Sequence, residues 1–131
     1  MGIRPIVTQT VVQELGYQSA RGPTPAKKDI ATKALTEMRQ WGIQPAGVTP
    51  LGNGICDIVA ERFRVEKVLP DGETHDIYVI IEASFYAVVY LVTWDSDMLD
   101  ADENEVNRLL LSYDLNRISI KHPRFFLEDD C

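Results

Sequence analysis

Residues 77–94, IYVIIEASFYAVVYLVTW, constrain the fold more than any other stretch. Odd positions carry Ile77, Val79, Ile81, Ala83, Phe85, Ala87, Val89 and Leu91, all apolar. Even positions carry Tyr78, Ile80, Glu82, Ser84, Tyr86, Val88, Tyr90, Val92 and Trp94, a mixed set. Such alternation belongs to a sheet covered on one side, and Val, Ile and Tyr favour strands. One strand of this length would span about 60 Å at ~3.3 Å per residue, too long for a chain of 131 residues. The pattern predicts two strands with a sharp bend near 82–85. Glu82 then sits on the mixed face, flanked by Tyr78, Tyr86 and Tyr90. There it points to solvent or a partner, because a buried carboxylate is costly unless paired.

The neighbouring segments extend this sheet. LPDGETHD, 69–76, reads as a turn built on Asp71-Gly72, so 55–68 and 77 onward form a hairpin. The apolar phase of 55–68 shifts from Ile58 and Ala60 to Phe63 and Val65, which calls for a bulge or burial on both faces. Upstream, 3–13 reads as extended, with Pro5 marking an edge or arm, and 16–25 as a loop. Thr24 and Pro25 cap and start a helix over 25–41, and Gly42 ends it. Ile30, Ala34, Met38 and Trp41 form its apolar stripe, widened by Leu35. Pro and Gly make 43–54 a loop. Asp102 with Glu105 caps a second helix over 102–113, whose inner face is Val106, Leu109, Leu110 and Tyr113. A last strand over 116–121 buries Ile118 and Ile120, and two exposed phenylalanines follow in the tail.

The expected fold is therefore α+β. A mostly antiparallel sheet of about four to five strands carries two helices on one face, in the order β-α-β-β-β-α-β. Residues 1–24 form an extended N-terminal arm or edge strand, and 25–131 a single domain.

Charge narrows the function. The net charge is −7, and nucleic-acid binders are usually basic. Residues 1–28 nevertheless hold Arg4, Arg21, Lys27 and Lys28 against Glu14, a balance of +3, which leaves −10 for the rest. A basic arm on an acidic body suggests attraction between copies or docking on an acidic partner. Tyr78, Tyr86, Tyr90 and Trp94 suit a protein interface, where Tyr and Trp concentrate; they also suit coverage by another layer of the same chain. Base stacking is opposed by the lack of Lys and Arg throughout 68–107, because phosphates need neutralising.

Catalytic and metal signals are sparse. Asp57 in GICDIVAER and Glu82 in IYVIIEAS resemble the PD-(D/E)XK nuclease core. In that family a strand Asp and a later Glu-x-Lys hold a divalent metal, and the Lys assists catalysis. The resemblance implies Asp57 and Glu82 as metal-holding carboxylates of a degenerate nuclease. Ser84, however, stands where the Lys belongs, and an apolar strand follows where the family has a helix. DSDMLDADENE, 95–105, is attractive to calcium but fails the EF-hand spacing at Leu99, Asp100 and Val106. It reads as a solvated acidic loop and helix cap. His75 and His122 enter no triad-like arrangement. GNG at 52–54 precedes a strand, not a helix, so it is no phosphate loop. Cys56 and Cys131 suggest neither a disulfide framework nor zinc.

The start MGIRPIVTQT lacks a signal-peptide core and favourable myristoylation context. The chain is expected to be soluble and cytoplasmic, or part of an intracellularly assembled particle. The functional expectation is a non-enzymatic protein-interaction or assembly module. It would be a subunit of a larger, virion-type assembly or a small acidic inhibitor or immunity-type protein. Its interface is Tyr78, Tyr86, Tyr90, Trp94, Arg4 and Arg21. It self-associates or binds a protein partner, with no cofactor, metal, membrane or nucleic acid.

Overall fold

Residues 74–85 are an α-helix, and only 90–92 of the alternating stretch are extended. The computed structural model describes residues 5–46, 50–69 and 74–125. The expected antiparallel sheet is absent from it. The chain is mostly helical, and its described strands form two separate two-stranded parallel pairs. The observed order is β1 (Ile6–Thr8), α1 (Gln9–Arg21), α2 (Pro25–Gln40), β2 (Gln44–Ala46), α3 (Pro50–Val65), α4 (Thr74–Phe85), β3 (Tyr90–Val92), α5 (Ser96–Leu99), α6 (Glu103–Ser112) and β4 (Ser119–Lys121). Two helices separate each strand from the next. Parallel strands need such a crossover, whereas a hairpin turn would make them antiparallel.

The chain divides into two compact units, residues 1–48 and 49–131. In the first, β1 pairs with β2, with Ile6 opposite Gln44 and Thr8 opposite Ala46. Residues 9–21, expected to be arm and loop, are helical. The α1 helix stops at Gly22, whose N–H bonds Gln18 O at 2.9 Å. A Cβ at Gly22 would meet that same oxygen at 2.6 Å, so the turn into α2 takes only glycine. The start of α2 is as the sequence reads: Thr24 accepts from Lys27 N–H, and Pro25 is the first helical residue. Gly42 adopts φ +70° after the last turn. The stripe on α2 differs from expectation. Ala31 is buried, but Ile30 is 69% and Trp41 72% exposed.

The second unit holds the core. On α3, Cys56, Val59, Ala60 and Phe63 are buried, the i, i+3, i+4, i+7 set of one helix face. Ile77, Ile80, Ile81 and Ser84 on α4 repeat that spacing. Val106, Leu109 and Leu110 of α6 complete the interior with Ile118. The phase shift in 55–68 is thus a helical period read on a strand template. Pro50, read as loop, opens α3 as its first residue, where its missing N–H costs nothing. With α3 and α4 on either side of 69–76, the Asp71-Gly72 segment joins no β-hairpin; those two residues lie outside the described ones.

Three helices of this unit end in the same hydrogen-bond pattern. Lys67, Ala87 and Asp114 each take a positive φ, at 53°, 58° and 60°. After α4, Val88 N–H bonds Ala83 O and Ala87 N–H bonds Ser84 O. The equivalent pairs close α3 and α6. These are Schellman ends, whose left-handed position favours glycine.

Candidate functional site

The expectation that Glu82 faces solvent is overturned. It is 1% exposed, among the interior residues of α4. Asp57 lies on the outer side of α3 and accepts a hydrogen bond from the Tyr78 hydroxyl at 2.5 Å. Burial, then that bond and the Asp57 charge, raise the Tyr78 pKa above its ordinary value. Cys56 is buried, and its thiol is pushed up to about 11 by burial and by the charges of Glu82 and Asp57. At neutral pH it is a thiol, not a thiolate nucleophile. The nuclease resemblance needed both acids on strands, and both are on helices. Ser84, in the place of the lysine, is engaged with Asn116. Its hydroxyl donates to Asn116 O and accepts from Asn116 N–H at 2.9 Å. Among the described residues no group of three or more His, Cys, Asp and Glu side chains is placed to hold a metal ion.

The acidic stretch is largely helix-capping. Asp95 accepts from Asp97 and Met98 N–H at the start of α5, and Asp102 from Asn104 and Glu105 N–H at the start of α6. Glu105 joins Glu66 on Arg108, at 2.9 and 2.6 Å. The hydrogen bond from Arg108 holds the Glu66 carboxyl below its ordinary range.

The aromatic residues separate into two groups. Tyr78 and Tyr86 do not lie on a sheet face: Tyr78 is on α4, and Tyr86 follows it with its ring edge-on to Phe85, 5.5 Å between centres. Tyr90 is on β3, and Trp94 comes two residues after its end. In the β3–β4 pair, Tyr90 lies opposite Ser119, Leu91 opposite Ile120 and Val92 opposite Lys121. Ile120 points inward, while Tyr90, Val92 and Trp94 are 42%, 47% and 75% exposed. The β4 side adds to this surface. Phe125 lies 5.7 Å from the Tyr90 ring, His122 meets Trp94 edge-on at 4.7 Å, and Lys121 Nζ sits 5.0 Å from the Phe125 ring.

The platform is firmly held from beneath. Buried Asn107 of α6 donates to Ile118 O at 3.0 Å and accepts from Ile118 N–H at 2.8 Å, fixing the approach to β4. Ser119 N–H bonds Val89 O and Thr93 N–H bonds Lys121 O, bracketing the short ladder. Strand alternation in the sequence marks Tyr90, Val92 and Trp94. The contribution of Lys121, His122 and Phe125 follows only from the parallel pairing.

In the first unit, Arg21 is exposed in the last turn of α1, and Arg4 lies outside the described residues. A second apolar surface is the Ile30–Trp41 stripe. Eleven residues make about three helical turns, so the two side chains share one face of α2. Lys27 and Lys33, three residues either side of Ile30, flank it and are exposed.

No protein-family model, no curated protein and no solved structure matches the chain. No helix among the described residues is long and apolar enough to cross a membrane.

Proposed function

We propose that this chain is a non-enzymatic assembly module whose copies associate through opposite charge. One observation carries this reading: the charge divides where the structure divides. Residues 1–48 hold six Lys and Arg against three Asp and Glu, a balance of +3. Residues 49–131 hold seven against seventeen, a balance of −10. Opposed fields of this kind steer encounter and set orientation. Exposed Tyr, Trp, Val and Ile supply the apolar contact that charge alone does not. A subunit of a larger particle has this character.

Light scattering of the full chain after size exclusion tests the proposal. At low ionic strength the mass exceeds 14.8 kDa and rises with concentration. At about 1 M salt, where screening acts within ~3 Å, the equilibrium moves toward monomer. A monomer at every concentration and salt would overturn self-association. It would direct the same acidic surface to a basic protein of another kind, as an inhibitor or immunity-type protein requires.

A further inference from the structure

We propose that the copies join head to tail, the Ile30–Trp41 face of α2 in one copy seating on the Tyr90–Val92–Trp94 face of another. This inference rests on the self-association reading and assigns its two surfaces. Each face leaves large apolar side chains in water, and Trp94 and Trp41 are the most exposed aromatics among the described residues, at 75% and 72%. Trp and Tyr in such positions are the usual anchors of an interface.

Charge selects the pairing. Two α2 faces brought together would join two units of +3 each. Two sheet faces brought together would join two units of −10 each. The crossed pairing avoids both repulsions. The attraction is between the units as wholes, because Lys121 and His122 lie on the sheet face itself and Glu37 follows Ile30 by seven residues on α2. Charge complementarity of the units thus favours a second copy in the crossed orientation over either like-face dimer.

A crossed contact either closes reciprocally, each copy giving both faces to one partner, or continues into a ring or an open chain.

Two double variants test this, each removing one face without changing net charge. Ile30→Ser with Trp41→Ser disables the helix face, and Val92→Ser with Trp94→Ser disables the sheet face. All four side chains are exposed, so circular dichroism and thermal melts check that both variants fold as the parent does. Each variant alone requires at least about tenfold higher concentration to associate, a factor equivalent to ~1.4 kcal/mol. Mixed in equal amounts, the two retain one intact pair of faces and form a dimer and nothing larger. A mixture that stays monomeric overturns the assignment, as does a variant that associates like the parent. A single variant that dimerises by itself indicates a like-face contact and also overturns it. A parent chain that is monomeric throughout instead removes the underlying self-association reading.

Discussion

In residues 49–131, α3, α4 and α6 turn Phe63, Ile80, Ile81, Leu109 and Leu110 into one interior, all at most 1% exposed. In residues 1–48, α1 and α2 pack beside each other, yet Ala31 is the only apolar side chain buried among residues 5–43, the ones whose exposure is described. The two regions share a plan. Each contains a parallel strand pair whose members are separated by two helices. The difference lies in where the large apolar side chains go. Helix signals such as the Thr24 cap fix the elements of the first unit, whose Val11, Leu15, Leu35 and Met38 are only part-buried. Small units with little interior need some other source of stability, and association is one of the usual sources. The second unit has its own interior and uses spare apolar residues as surface.

The largest expected contrast follows from this. Phe63→Ala costs about 3–5 kcal/mol, the usual range for emptying a packed site, measured by urea denaturation of the full chain. Ile30→Ala changes stability by less than ~0.5 kcal/mol and acts on association instead. Equal losses at both positions would erase the distinction between the units. Next is Asn107→Ala, which strands the buried N–H and C=O of Ile118 and costs about 1–3 kcal/mol. It also loosens β4, so the fluorescence of Trp94, edge-on to His122, changes with it.

Ala87→Gly runs in the opposite direction. The left-handed conformation disfavours alanine by ~1–2 kcal/mol, and glycine's extra freedom in the unfolded chain offsets part of that. A net gain of about 0.5–1 kcal/mol is expected from thermal melts, and a loss would show that the Ala87 methyl packs usefully.

The smallest effect concerns pH. Glu66 has a depressed pKa in the folded chain because Arg108 bonds its ionised form. A depressed acid contributes stability above its ordinary value of 4.5, and that contribution disappears as pH falls through the lower folded value. The melting temperatures of the parent and of Glu66→Gln should therefore differ at pH 7 and converge on acidification below about 4.5. A gap that widens in acid would contradict the assigned direction.

How much of this was legible in the sequence depended on punctuation. The α2 and α6 helices carry their signals openly: Thr24, Pro25 and Gly42 for one, Asp102 for the other. Of the helices mistaken for strands, α3 opens on Pro50, but neither carries a stop signal. Lys67 and Ala87 occupy the left-handed end positions where glycine would have announced a stop. The segment 77–85 is apolar on nearly every side, so it satisfies a period of 2 and of 3.6 together. Its Ile and Val content then tilts the reading toward strands, and burial against α3 overrides that local preference. Glu82 misled for the same reason: alternation placed it outward, and a helix places it inward.

The interface residues were only partly legible. Tyr90 lies on a true strand and Trp94 just beyond it, and both were read as surface. Tyr78 and Tyr86 alternate in the same register but belong to a helix and its end. Ile30 and Trp41 form a proper helical stripe, and spacing alone does not reveal whether a stripe meets its own chain or another.

The most direct measurement is amide hydrogen exchange of the full chain at low and high protein concentration. Exchange reports the opening free energy region by region. The account predicts strong, concentration-independent protection in α4 and α6. It predicts weak protection in α1 and α2 at high dilution, rising as copies associate. Protection of α1 and α2 equal to that of α4 and α6 in dilute monomer would contradict it, because the first unit would then be stable without a partner copy.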